Sequence, residues 1–246
     1  MHACLLLTRP LGQSRCFAEK MRKAGWRGPM MIAPLMQIDL IPPDPAVLDE
    51  ADILIVTSQH GVAALNRATT ARHWPIWCVG ARTAATARAA GFPQVYQAGG
   101  DAQALRAALL ATAPDGRLLH LSGRHVAMDL AAELDSAGLS VTALVVYDQS
   151  PLPLSDAAHD LLAGEARDVV LPLFSPRSAR LMSAALDGIG RVTARVHLLA
   201  LSDAVAEACH GVGATSLRVA MRPDAEAMCS LIIEAQAELE PCEKPR

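Results

Sequence analysis

Two stretches of this chain begin 116 positions apart and run the same way: Asp52-Ile-Leu-Ile-Val-Thr57-Ser58 and Asp168-Val-Val-Leu-Pro-Leu-Phe174-Ser175. Each starts on aspartate, passes through an aliphatic run and stops at a serine. They belong to a longer series of matches kept in one order. Leu199-Ala-Leu-Ser202-Asp203 stands where Cys78-Val-Gly80-Ala81 stood, and Gly213 answers Gly91. Pro223-Asp224-Ala-Glu-Ala-Met228 answers Gly100-Asp101-Ala-Gln-Ala-Leu105, and Thr142-Ala-Leu-Val-Val-Tyr147-Asp-Gln-Ser-Pro151 answers Ala33-Pro-Leu-Met-Gln-Ile38-Asp39-Leu-Ile-Pro42. The spacing between matched positions drifts only from 109 to 123 residues. Many small coincidences in one order point to an internal duplication.

The repeated unit constrains the fold class. Leu5–Thr8, Asp52–Val56, Trp77–Val79, Val95-Tyr96, Leu118–Leu121 and Asp168–Leu171 read as short buried strands. Helical patterns alternate with them, from about Ser14 to Ala24, from about Val62, after Gly80 to Gly91, from Asp101 to about Ala111, and after Arg124 to Ala137. Strands alternating with helices of this length predict α/β architecture with parallel sheets built from βαβ units. Pro42-Pro43-Asp44-Pro45 predicts an irregular segment, and Thr142–Pro151 a strand that breaks on Asp148-Gln-Ser-Pro. The two look-alike stretches, about 33–41 and 142–150, read as a two-stranded linker with a cleft beside it. The tail from Glu238, with Pro241 and Pro245, reads as disordered.

Composition narrows the functional classes. Net charge is −3, so no overall basic field attracts nucleic acid. Nineteen of the 22 cations are arginine, which reflects either base composition or carboxylate recognition by guanidinium forks. The six cysteines, at 4, 16, 78, 209, 229 and 242, form no C-x-x-C, and the eight histidines form no H-x-x-x-H. No metal site is expected. The N-terminal apolar run lacks a signal peptide's basic region, and no run of 18 apolar residues would span a membrane, so the expected location is the cytoplasm. In parallel α/β sheets ligands sit at the carboxyl ends of strands, where helix N-termini offer free N–H groups to anions.

At those strand ends the chain carries Leu7-Thr8-Arg9-Pro10, Ile55-Val-Thr57-Ser58, Val79-Gly80-Ala-Arg-Thr83-Ala84, Leu121-Ser-Gly123, Val146-Tyr147 and Phe174-Ser175-Pro176. In this order the motifs resemble the uroporphyrinogen-III synthase family, from Leu5 to about Ala235. The resemblance implies two α/β domains joined by a two-stranded antiparallel linker. One domain would hold 1–35 and 150–246, the other 40–145, each half of the duplication lending its first βα unit to the other domain. It also implies a lyase that uses no metal or organic cofactor. The enzyme would close hydroxymethylbilane, a linear tetrapyrrole with eight carboxylates, with loss of water and inversion of ring D. The linear tetrapyrrole would be the main partner, with transient contact to hydroxymethylbilane synthase, and the protein would be a monomer.

Carried over residue by residue, Tyr147 matches the family's proposed proton donor, and a phenol is protonated at neutral pH; the weaker reading is a core anchor. Arg9, Arg82 and Arg124 are placed to pair with carboxylates, although surface roles suit Arg82 and Arg124 as well. Gly80 would let the ligand approach the backbone, and Thr83 would bind it or cap the helix. Ser58 and Ser175, with Thr57 and Phe174 as backbone donors, would bind carboxylates or act as caps. Gly123 completes the strand-end set. Leu201-Ser202-Asp203-Ala204-Val205 departs from the family's hydroxyl-rich turn, leaving Ser202 as a possible binder and Asp203 as a helix cap. That departure favours a rival reading, a non-catalytic binding or regulatory module of the same fold. A nucleotide-sugar transferase is a weaker rival, because no G-x-G-x-x-G follows a strand with an acid about twenty residues on.

Overall fold

The computed structural model describes residues 2–126, 128–209 and 213–240. β1 (Cys4–Leu7) is buried throughout and leads into α1 (Leu11–Ala24), which begins straight after Pro10, three residues before the first periodic position at Ser14. Gly25 ends that helix at φ +100°, a conformation that favours a residue without a Cβ. β2 (Met30–Ile32) pairs in parallel with β1 and is absent from the sequence-based expectations, since three residues are too few to show a period. β3 (Met36–Leu40) follows.

The irregular segment expected at 42–45 is partly corrected. Pro45 opens a short helix, α2 (Pro45–Asp49), and the Asp44 side chain accepts from the Ala46 N–H at 2.9 Å. Proline suits a first helical position, where no N–H is needed. β4 (Ile53–Val56) leads into α3 (Gln59–Ala68), which starts at Gln59 and not at Val62 because Ser58 caps it. β5 (Ile76–Cys78), α4 (Ala81–Ala89), β6 (Val95–Gln97) and α5 (Ala102–Thr112) complete the first half, α5 capped by Asp101 as its sequence suggests.

The second half runs β7 (Leu118–Gly123), α6 (Leu130–Ser136), β8 (Val141–Pro151), α7 (Asp156–Ala163) and β9 (Asp168–Leu173). It ends with α8 (Pro176–Asp187), β10 (Arg195–Ala200), α9 (Asp203–Glu207), β11 (Ser216–Val219) and α10 (Ala225–Leu239). Three expectations are corrected here. α6 starts at Leu130, capped by Asp129, and not directly after Arg124. β8 does not break at Asp148, because a neighbouring strand satisfies its backbone and Ser150 Oγ donates to Asp39 Oδ2 at 2.6 Å. Glu238 lies within α10 and accepts from Arg218, so the tail does not begin there; Pro241 and Pro245 lie outside the described residues.

The strands form two sheets, β2-β1-β9-β10-β11 and β3-β8-β7-β4-β5-β6. All pairs are parallel except β3 with β8. There Ile41 N–H donates to Val146 O and Leu152 N–H to Leu35 O, so residue numbers rise on one chain as they fall on the other. That is antiparallel pairing. The chain divides into two compact units, Met1–Gln37 with Pro151–Arg246, and Ile38–Ser150. Leaving β3 aside, both sheets have one strand order if β7, β8, β4, β5 and β6 stand for β1, β2, β9, β10 and β11.

Each sheet buries both faces. In β4, Leu54 and Val56 enter one core while Ile53 and Ile55 enter another. In β1, Cys4 and Leu6 likewise separate from Leu5 and Leu7. Alternation between two apolar faces is why these strands read as continuous aliphatic runs. At about 25 cal/mol per Å² of apolar surface removed from water, such runs supply most of the drive to fold. The described cysteines are free thiols, with Cys4, Cys78, Cys209 and Cys229 buried and Cys16 exposed.

Candidate functional site

In the unit Ile38–Ser150 the site is built on a slip between β7 and β8. Their register holds from Leu118 opposite Val141 to Ser122 opposite Val145, then shifts so that Gly123 faces Tyr147. Val146 is the extra residue of a β-bulge, a device that re-aims side chains. Its effect is visible in the core. Leu144, Val146 and Tyr147 all pack into the same apolar cluster, so two consecutive residues share a face that strict alternation would divide.

Tyr147 is 8% exposed. A Cβ added to Gly123 would lie 2.6 Å from ring atoms Cε2 and Cζ and 2.8 Å from the phenol oxygen. The phenol therefore rests on the glycine, and this contact accounts for Gly123 without any ligand. Arg124 N–H donates to the Tyr147 carbonyl at 3.0 Å, closing the ladder just past the bulge. The Arg124 side chain turns back to Asp148, Nε to Oδ2 at 2.7 Å. Burial alone would raise the Asp148 pKa, but hydrogen bonds from Arg124 and Gln149 N–H outweigh it and lower it. Arg124 is thus already paired with a carboxylate of its own chain.

His60 is a residue that its sequence context marks only as an ordinary polar side chain near a strand end. Its ring lies 5.4 Å from that of Tyr147, centroid to centroid, tilted by 57°. Its backbone N–H donates to Ser58 Oγ at 3.2 Å, so Ser58 is a working helix cap. Burial, and after it the positive charge of Arg82, lowers the His60 pKa. The available signal was a histidine two places after a capping serine at a strand end. Thr57 immediately follows β4.

At the next helix mouth Gly80 occupies the cap position of α4 without a side-chain bond, and Arg82 is exposed. Thr83 is therefore not the cap; it sits in the first turn of α4, 7% exposed. A Cβ on Gly80 would meet nothing closer than Gly100 Cα at 3.8 Å, so its backbone stands open. Gln59 Nε2 donates to Thr86 Oγ1 at 2.9 Å and ties the first turn of α3 to α4.

In the other unit, Arg9 places its guanidinium carbon 4.2 Å above the Phe174 ring, and Phe17 meets the same ring edge-on at 5.0 Å. Ser175 caps α8 in a reciprocal box. Its Oγ accepts from Ser178 N–H, and Ser178 Oγ accepts from Ser175 N–H, both at 3.1 Å. At α9 the expectation for Asp203 is corrected: Ser202 holds the cap position, without a side-chain cap bond, and Asp203 is the first helical residue.

Tyr147 within β8, Gly123 and Arg124 at the end of β7, and Ser58 and His60 at the mouth of α3 therefore form one group, with Gly80, Arg82 and Thr83 at the mouth of α4. Arg9, Phe174 and Ser175 form a second group, and Ser202 lies one strand further on, after β10. Among the described residues, no group of three His, Cys, Asp or Glu side chains could hold a metal ion. No helix among them is long and apolar enough to cross a membrane.

A family model described as uroporphyrinogen-III synthase HemD matches residues 16–230. The chain belongs to the uroporphyrinogen-III synthase family. This is an enzyme family of tetrapyrrole biosynthesis. The match includes the divergent Ser202–Val205 turn, which removes the main ground for the non-catalytic reading. The crystal structure of uroporphyrinogen-III synthetase from Helicobacter pylori 26695 aligns with a TM-score of 0.62 at 16% identity, covering 96% of this chain and 100% of that one. A mutant uroporphyrinogen III synthase from the extremely thermophilic bacterium Thermus thermophilus aligns at 0.54 and 19% identity, covering 97% and 100%. At these identities the likeness speaks for the fold: mixed α/β with parallel sheets. No curated protein matches the chain in sequence.

Proposed function

We propose that the chain carries out the family's reaction on hydroxymethylbilane, acting as a hydro-lyase and yielding uroporphyrinogen III. The Tyr147 phenol donates a proton to the departing hydroxyl. The C–O bond breaks, water leaves, and an azafulvenium-type cation remains. The cationic methylene bonds to the substituted α-carbon of ring D, giving a spiro-pyrrolenine. The bond from that carbon to the methylene of ring C then breaks, that methylene rejoins at the free α-carbon of the inverted ring D, and the proton lost there returns to the phenolate. Donation by a positioned acid is worth roughly 10²- to 10⁴-fold in rate. Orientation of the flexible ring accounts for much of the rest, since uncontrolled closure yields the uninverted isomer.

The observation that carries this reading is the phenol held at the β8 bulge of a chain matched to this family over most of its length. Substrate carboxylates are gripped by strand-end groups: Arg9, the N–H groups at Thr57, Ser58, Phe174 and Ser175, the open Gly80 turn with Arg82 and Thr83, and Ser202. Gly123 supports the tyrosine, and Arg124 takes a carboxylate only by giving up Asp148. The protein is a cytoplasmic monomer that needs no metal or organic cofactor and receives its unstable substrate through transient contact with hydroxymethylbilane synthase. Its two domains descend from a duplication whose halves exchanged their first βα units.

The test is to supply freshly made hydroxymethylbilane and separate the isomers formed. Uroporphyrinogen III in excess is the expected product. Uroporphyrinogen I alone, at the spontaneous rate, overturns the reading.

A further inference from the structure

We infer that His60 is a positioning residue for Tyr147, its ring holding the phenol against Gly123 so that the O–H points where the leaving group departs. The inference rests on the reading of Tyr147 as proton donor. A tyrosine fixed by packing on one side only can swing about χ1 and χ2. Here β7 supplies a support without a side chain, since a Cβ on Gly123 would come within 2.6 Å of the ring. Beyond its core neighbours, the ring meets one aromatic partner, and it comes from α3. The imidazole stands 5.4 Å away at 57°, within the tilted range that aromatic pairs adopt.

His60 is itself held in place. Its N–H is bonded to Ser58 Oγ, which fixes the first turn of α3. Its neighbour Gly61 lets that turn sit flush on the sheet, because a Cβ there would lie 2.9 Å from Val56 Cγ1 and 3.2 Å from Leu121 O. Gln59 anchors the same turn to α4 through Thr86. Three consecutive residues thus press the imidazole toward the phenol. The chemistry agrees with a role in packing and not in proton transfer. Burial and the Arg82 charge keep the imidazole neutral, and so does its place at a helix N-terminus. A neutral ring adds no positive charge beside the cation that loss of water creates, and it is a poor acid at neutral pH.

The test combines a physical and a kinetic readout. The chain has only Tyr96 and Tyr147, so Tyr96→Phe leaves one tyrosine to follow by NMR. In that background Tyr147 should show slow ring flipping, with distinct resonances for the two ring edges. His60→Ala should average them, and His60→Phe should keep them distinct. On hydroxymethylbilane, His60→Ala should lower kcat by roughly 10-fold or more with KM little changed, as expected when a reacting group is misplaced. His60→Phe should restore most of the rate, and the melting temperature of both variants should stay near that of the parent. In a Tyr147→Phe background, His60→Ala should cost nothing further, because a residue acting through another loses its effect when that other is gone. Equal losses in both backgrounds, or ring flipping unchanged by His60→Ala, overturn the inference. If the parent protein forms no uroporphyrinogen III, the reaction reading fails instead, and the ring-flip measurement still decides whether His60 holds the phenol.

Discussion

Arg9 and Arg124 occupy equivalent places, each just past the end of the strand that starts a repeat, yet they are held in opposite ways. Arg9 has its guanidinium carbon over the Phe174 ring. Arg124 is bonded to Asp148 through Nε. The aromatic neighbours differ in the same sense. Phe174 in the unit Met1–Gln37 with Pro151–Arg246 carries no exchangeable proton. Tyr147 in the unit Ile38–Ser150 carries one and stands beside an imidazole. A shared strand order thus supports two different surroundings for an arginine, an aromatic ring in one unit and a carboxylate in the other. The backbone sets where a strand end lies, and one or two side chains decide what it does.

The largest effect should separate these roles. Tyr147→Phe should cut kcat on hydroxymethylbilane by about 10²- to 10⁴-fold with KM nearly unchanged. Phe174→Leu should mainly raise KM, since it removes the ring beneath Arg9. Steady-state kinetics on both variants checks the contrast, and a fall in kcat alone for Phe174→Leu would erase it.

Acid should also tell the units apart. His120 lies in the middle of β7, 3% exposed, and its Nε2 has no hydrogen-bond partner. Burial lowers its pKa from 6.5 to about 4, against a smaller opposite pull from Asp129. Unfolded chain takes up the proton near pH 6.5 while the folded chain refuses it until about pH 4, so stability falls as pH drops through that window. The loss is about 3 kcal/mol in order of magnitude, and the lowered pKa of His60 acts in the same direction. Hydrogen exchange followed by mass spectrometry should show amides of Ile38–Ser150 losing protection first on acidification. His120→Leu should abolish that step.

The other unit should yield later. Asp168 accepts from Arg195 Nε at 2.8 Å and is bonded to His197 Nε2 at 2.9 Å, which in turn contacts Ser216 through Nδ1. The Arg195 hydrogen bond is the largest cause holding the Asp168 pKa down at about 2, against burial, with His197 assisting. A depressed carboxyl stabilises above its unfolded value of 3.8 and loses that contribution as pH falls toward 2. Asp168→Asn should therefore cost about 2 kcal/mol at neutral pH, read by urea unfolding, and almost nothing near pH 2.

The smallest effect concerns Thr8, which follows β1 and has a buried hydroxyl lacking any hydrogen-bond partner. Thr8→Val should leave stability unchanged or raise it by about 1 kcal/mol. If instead KM rises with stability unchanged, the hydroxyl serves the ligand, and the anion-gripping character of that strand end is sharper than Arg9 alone makes it.

Much of the fold was legible because it rests on local rules. Asp101 announced α5 as its capping residue, and Gly25 marked the end of α1. What escaped was either too short to carry a pattern, as β2 and β11 were, or decided by a partner strand. β8 continues through Asp148, Gln149 and Ser150 because β3 and Arg124 satisfy them, which no reading of those residues alone supplies. The site divides along the same line. Ser58 and Ser175 stand at strand ends where their motifs put them, whereas Tyr147 lies inside β8. Gly123 was singled out, but its reason lies under a ring 24 positions away. His60 was passed over because its neighbour is brought to it by a bulge that involves neither of its own strand ends.

That bulge has a consequence for how this protein can change. Deleting Val146 would bring the tyrosine opposite Gly123 without a slip, but it would remove a side chain fully buried in the core and a carbonyl that accepts from Ile41 N–H. Strands usually tolerate substitution while the count of their residues is set by the sheet. Here the core and the pairing with β3 both use the extra residue. In descendants of this chain, side chains along β8 can drift, but insertions and deletions near Val146 should be scarce for as long as the tyrosine is used.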